Sequence, residues 1–276
     1  MQILDGKILS DKIKNEVKLE SDSYKVTPIL AVISISSDEI RNLHLDNIKK
    51  ACEYCDISIM NFNYTEETEE KAIIKKIKEL NKDKNVNGIL LNISDDKKTN
   101  LIINTISPDK DIDCLTDILK GKIINNTHII IPCISKSIIE LFDYNKVDLE
   151  NKNIVIVDDN GFFEQSLITK FIYKNSCVTV CNSKNNKLKD YTKKADILII
   201  SVNKKYFIDK TMIKKDSIII DLGINLIDNN IYGDINPNVE NNISYFATLY
   251  NEIYEIYVSM LLKNTMIAYK TQNEIK

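Results

Sequence analysis

Cys52 and Cys55 form a C-x-x-C, a spacing that can serve as half a zinc site or as a redox pair. A closed zinc site needs a second such pair or two histidines, and neither follows. The two cysteines are therefore expected as small residues of a helix. Cys114, Cys133, Cys177 and Cys181 complete a set of six expected as reduced thiols, with Cys177 and Cys181 in the core of a strand. A second group is acidic. Asp158, Asp159 and Glu164 crowd one short stretch that could bind a cation, although loop carboxylates are more often simply solvated. Arg41 is the only arginine, so the usual bidentate clamp for phosphate is almost absent. His44 is one of two histidines, the side chain that titrates near neutrality. Tyr250, Tyr254 and Tyr257 make a stripe at helical spacing, expected in a core or an interface.

These residues need elements to hold them. A chain of 276 residues with 43% hydrophobic content suits two modest domains. The net charge of −3 leaves no basic footprint for nucleic acid. No uncharged apolar stretch reaches the ~18 residues of a membrane span. The opening MQILDGKILSDK lacks a signal peptide's apolar run, so a cytoplasmic protein is expected. Buried strands are expected at 27–35, 87–93, 153–159, 176–182, 195–202 and 216–224. Helices are expected at 38–55 and 66–83, and residues 131–144 begin extended and become helical. Residues 252–270 are helical in period. Strands alternating with helices imply an α/β fold with parallel sheets and crossover helices. The strand spacing changes near the polar stretch 145–153, which places a domain boundary there. The expected domains are 1–145, completed by a C-terminal helix 252–276, and 146–250.

Several phrases, in order and over nearly the whole length, resemble the bifunctional methylenetetrahydrofolate dehydrogenase/cyclohydrolase family of the FolD type. They are LDGK (4–7), LAVISI (30–35), KKACE (49–53), NGILLN (87–92), PDKDIDCLT (108–116), KGK (120–122), IPC (131–133), IIIDLGIN (218–225) and YGDI (232–235). The resemblance implies an N-terminal folate domain, a C-terminal Rossmann-type domain for NADP, and a last helix returning to the first domain. It implies hydride transfer from methylenetetrahydrofolate to NADP, then hydration of the methenyl ring. It also implies a tetrahydrofolate derivative as ligand and a homodimer.

Residue by residue, the resemblance implies losses. Aligned through KKACE, the family's tyrosine and the lysine four residues later, its central acid/base group, fall on His44 and Ile48. Isoleucine moves no proton. Lys49 is adjacent, but one residue turns a helix by about 100°. The glutamine that pairs with the lysine falls on Asn92, and the aspartate that grips the pterin is kept as Asp113. The Leu-Pro-Leu-Pro after the glutamine becomes Ile93-Ser94-Asp95-Asp96, and the Cys-Thr-Pro turn becomes Cys133-Ile134-Ser135. In the cofactor loop, Asp158 and Glu164 replace glycines and Asp159 replaces the arginine, leaving Gly161 alone. Three carboxylates thus stand where phosphates should bind. Ser183 and Lys184 match a pair that holds the adenosine ribose phosphate, and Gly223 and Ile224 are further cofactor positions. A cofactor-cleft glycine becomes Asn203. The family's glycine- and proline-rich turn becomes residues 247–257, expected to lengthen the last helix.

Phrases needed for folding survive while ligand-binding residues do not. The leading expectation is a degenerate member with impaired or no activity. The others are an active enzyme using His44 and Asp113, and a non-catalytic binding or partner protein.

Overall fold

The computed structural model describes residues 1–24, 27–35, 39–93, 99–124, 130–159, 164–228 and 230–275. The expectations for residues 94–96 and for Gly161 lie outside them. The strands are β1 (Gln2–Ile3), β2 (Ile29–Ile35), β3 (Ser58–Tyr64), β4 (Val86–Ile93), β5 (Asn153–Asp158), β6 (Cys177–Cys181), β7 (Ile197–Ser201), β8 (Ser217–Asp221), β9 (Asn225–Ile227), β10 (Asn230–Tyr232) and β11 (Ile243–Thr248). The helices are α1 (Lys7–Tyr24), α2 (Glu39–Tyr54), α3 (Glu70–Lys82), α4 (Asn100–Ile103), α5 (Asp117–Ile124), α6 (Cys133–Tyr144), α7 (Glu164–Tyr173), α8 (Leu188–Thr192) and α9 (Tyr254–Gln272). The chain divides into two compact units. One holds residues 10–133 and 257–276, the other residues 1–9 and 134–256.

In the first unit, β2 lies between β3 and β4 in a parallel sheet. Burial on both faces explains why β2 and β4 are largely apolar, with Ser34, Asn87 and Asn92 as buried polar exceptions. Strand β3 is an edge and alternates polar with apolar side chains, so no apolar run marks it. Helix α3 covers the sheet with Ile73, Ile77 and Leu80, spaced for one helical face.

The second unit is a parallel sheet in the order β1-β11-β8-β7-β5-β6. From β5 the chain steps to β6 on one side and then to β7 on the other. The crevice at the carboxyl ends of β5 and β7 is thus the topological switch point, where open α/β sheets bind ligands. Two expectations need correction here. Cys177 is exposed and only Cys181 is buried, because β6 is an edge strand. The segment 247–257 is not one helix. Ala247 and Thr248 end β11, paired with Ile220 and Asp221 of β8. A π turn over Leu249–Ile253 follows, and α9 begins at Tyr254. The Glu252 carboxylate accepts from the Thr248 backbone N–H (2.7 Å) and hydroxyl (3.1 Å), which holds Thr248 extended at the start of the turn. No described helix is long and apolar enough to cross a membrane.

Candidate functional sites

The motif Lys110-Asp111-Ile112-Asp113 divides its labour along the chain. Lys110 is buried, and its Nζ donates to the carbonyls of Leu80 (2.8 Å) and Asp83 (2.6 Å), where α3 ends. Burial lowers its pKa, against the charges of Asp83 and Asp109. Asp111 is also buried and accepts from the N–H groups of Leu115 (3.1 Å) and Thr116 (2.7 Å). Burial raises its pKa, and those hydrogen bonds oppose the rise. Asp113 alone is half-buried. Its Oδ1 accepts from the Cys133 N–H and its Oδ2 from the Tyr257 hydroxyl, each at 3.3 Å.

Tyr257 also reaches His44. Their ring centroids are 5.8 Å apart with planes tilted by 33°. His44 is half-buried on α2, and Ile48, one turn later, has no exposed surface at all. Asp113 and His44 are therefore joined through Tyr257. Asn92 is turned elsewhere. It is buried, and its amide donates to the Ser34 hydroxyl (3.4 Å) and the Arg41 carbonyl (3.3 Å), both long. Arg41 in turn donates to the Ile93 carbonyl at 3.1 Å, so the only arginine ties α2 to the end of β4. The Cys133 thiol accepts from Asn264 Nδ2 at 3.2 Å, and burial with the nearby Asp113 charge pushes it well above the usual thiol range. Cys52 and Cys55 are both buried. Among the described residues no three His, Cys, Asp or Glu side chains gather as a metal site.

In the second unit the candidate residues meet at the switch point. Asp158 ends β5 and is buried. Asp159 follows, with Oδ1 accepting from the Ser183 N–H (2.8 Å) and Oδ2 from the Ser183 hydroxyl (2.6 Å) and Lys204 Nζ (2.9 Å). Lys204 Nζ also donates to the Ser183 hydroxyl. Burial alone would raise the Asp159 pKa, but the hydrogen bonds from Ser183 and then Lys204 bring it below the usual carboxylate value. Lys184 is exposed.

Behind this clasp lies a pair of buried carboxylates. Asp234 has no exposed surface and accepts from the N–H groups of Val202 (2.7 Å), Asn203 (3.0 Å) and Lys204 (2.7 Å), and from Asn225 Nδ2 (3.0 Å). Asp221 accepts from the N–H groups of Gly223 (3.0 Å), Asp234 (3.1 Å) and Ile235 (3.0 Å). A Cβ on Gly223 would sit 2.2 Å from the Asp234 carboxyl carbon, so the glycine admits the carboxylate. Asn203 keeps a left-handed backbone (φ 52°), which asparagine tolerates better than most residues. Its Oδ1 accepts from the Ile224 N–H at 3.1 Å.

Residues 4–113 match the tetrahydrofolate dehydrogenase/cyclohydrolase catalytic-domain model, and residues 132–273 match that family's NAD(P)-binding-domain model. The chain belongs to the tetrahydrofolate dehydrogenase/cyclohydrolase family. It is 34% identical over 281 residues to the bifunctional protein FolD of Thermodesulfovibrio yellowstonii, covering 99% of this chain and 98% of that protein. It is 35% identical over 279 residues to the FolD of Mycoplasma capricolum, covering 98% of each. The crystal structure of the bifunctional FolD enzyme from Campylobacter jejuni superposes with a TM-score of 0.90 at 28% identity, covering 98% of this chain and 99% of that one.

In this tetrahydrofolate dehydrogenase/cyclohydrolase family member, Asp113 and Ser183, where the resemblance implies ligand contacts, are each engaged by a side chain of the protein itself, Tyr257 and Asp159. Tyr257, Lys204 and Asp234 were not picked out by the sequence as site residues. Tyr257 had one signal, its place in the tyrosine stripe. Asp234 had its place in YGDI. Lys204 had none, since its partners lie 45 and 21 residues away.

Proposed function

We propose that the chain is a tetrahydrofolate dehydrogenase/cyclohydrolase scaffold that catalyses neither step at a useful rate. One observation carries this reading. The position where the resemblance implies the acid/base lysine holds Ile48, which has no exposed surface. Positioned proton transfer typically contributes about 10²–10⁴-fold, and isoleucine supplies none of it. Two contacts support the same reading. Both oxygens of Asp113 are engaged, one by the Cys133 N–H and one by Tyr257. The residues at the nucleotide site do not fit the phosphates of NADP, because the Asp159 carboxylate engages Ser183 and Lys204, and Asn203 takes the Ile224 N–H. The deciding experiment follows both reactions on purified protein, hydride transfer to NADP or NAD and loss of methenyltetrahydrofolate absorbance. Rates at the uncatalysed level are expected. The remaining role is binding a folate or a protein partner, in a cytoplasmic homodimer whose size light scattering would check.

A second reading has an observation of its own. His44 packs against Tyr257, whose hydroxyl meets Asp113. These three could pass a proton in place of the lysine. Methenyltetrahydrofolate hydrolysis that His44→Ala abolishes would establish it.

A further inference from the structure

We propose that the Asp159 carboxylate is a resident anion in a phosphate-type site formed by Ser183 and Lys204, and that it keeps a nucleotide phosphate out. Three donors converge on this one carboxylate: the Ser183 N–H, the Ser183 hydroxyl and Lys204 Nζ. A backbone N–H, a hydroxyl and an ammonium are the donor set a phosphate monoester requires. The site is built rather than incidental. Asp234, fully buried, holds the N–H groups of three successive residues ending at Lys204. The Lys204 ammonium lies 5.3 Å from the Phe207 ring centroid, which further limits its freedom. The place is also right for a nucleotide. Asp159 and Lys204 follow β5 and β7, on either side of the switch point, and Ser183 follows β6. In doubly wound folds the end of the second strand faces the adenosine ribose.

A resident carboxylate acts on the ligand's charge. Asp159 stays ionised, since Ser183 and Lys204 hold its pKa below the usual range. A phosphate would have to displace it from Lys204 and leave it beside another anion. Asp159 and Lys204 keep 20% and 43% of their side-chain surfaces exposed, so a soluble ligand can reach the clasp.

The inference rests on the reading above only in treating this unit as closed to NADP. The test is titration calorimetry at low salt with 2′,5′-ADP, and separately with inorganic phosphate, on the full chain. Wild type, Asp159→Asn, Asp159→Ser and the double variant Asp159→Ser/Lys204→Ala are compared, each checked for an unchanged melting transition. Asp159→Asn conserves shape and removes the charge, so it serves if the serine variant unfolds. The expected result is at least tenfold tighter binding of 2′,5′-ADP by the single variants, weakened by salt and returned to the wild-type level by the added Lys204→Ala. Inorganic phosphate should gain in the same variants but bind more weakly than the nucleotide. Two results overturn the inference. One is no gain in either folded single variant. The other is wild type already binding 2′,5′-ADP as tightly as they do. Hydride transfer to NADP by wild type would sink the proposed function. Missing gain in the variants with an inactive wild type would sink this inference alone.

Discussion

On the proposed reading, a single side chain limits what the folate-type unit can do. Ile48 is sealed in the core, so restoring a lysine there is not a simple repair. A lysine at this buried position must lose its proton or draw water in. Ile48→Lys is expected to lower stability by about 3 kcal/mol or more in urea unfolding, and not to restore methenyltetrahydrofolate hydrolysis. Recovered hydrolysis would show that Tyr257 leaves Asp113 free for a pterin. The thiols give a second residue-scale test. Burial pushes the Cys52 thiol up to about 12, with Cys55 adding, and the Cys55 thiol up to about 11. The thiolate is the reactive form, and Cys177 is the one exposed cysteine of six. One thiol per chain should therefore alkylate quickly at pH 8, and mass spectrometry should place the label on Cys177. Fast labelling of Cys52 or Cys55 would revive the redox reading of that pair.

The loops after β7 and β8 owe their shape to two carboxylates. Removing Asp234 leaves the N–H groups of Val202, Asn203 and Lys204 without the acceptor they share. Each buried donor left unsatisfied costs about 1–3 kcal/mol. Asp234→Ala should thus lose several kcal/mol in all and free Lys204, which loss of amide-exchange protection at 202–204 would report. Asp221 gives a pH test. Burial, aided by the Asp234 charge, raises its pKa from 3.8 to about 6, against the N–H groups of Ile235, Asp234 and Gly223. The folded state then binds the proton more tightly than the unfolded chain. This group's favourable contribution is full below pH 3.8 and is lost as pH rises through about 6. The change is on the order of 2–3 kcal/mol. Asp221→Asn should flatten the stability profile of wild type between pH 4 and 6 in guanidinium titrations. An identical slope in both proteins would remove Asp221 from the explanation.

At the scale of the whole molecule, each unit is closed by a segment from a chain end. Strand β1 pairs with β11 in the nucleotide-type unit. From Tyr257, α9 belongs to the folate-type unit. There the Ser259 hydroxyl bonds that of Ser10 at 2.7 Å, and Asn264 donates to the carbonyls of Ile112 (2.8 Å) and Ile131 (3.2 Å). Gln272 donates to the carbonyls of Asn87 and Asp109, each at 2.8 Å. A chain ending at Ile256 should lose cooperative folding of residues 10–133, seen as protease cleavage confined to that stretch. Equal resistance of both units would show that α9 only decorates the first.

The sequence by itself determined the α/β class and the family. Strands β2, β5, β7 and β8 lie inside their sheets and edge strand β4 is buried along its whole length, so each is written as a largely apolar run. Such runs can be read without knowing their neighbours. It also determined that Ile48 has no proton to give and that Asp159 carries a negative charge, since both follow from residue type. Tertiary structure decided the rest. Edge strands β1 and β3 carry no apolar run, and edge strand β6 was legible as a strand but not as an edge, so Cys177 was expected inside when it lies outside. Thr248 stays extended because Glu252 takes its N–H, a contact that helical period does not encode. Tyr257 meets Asp113 across 144 residues, and Lys204 meets Asp159 across 45. Charge and hydrogen bonding act over a few ångströms of space, whatever the separation along the chain, so which groups face each other is set only when the sheets assemble.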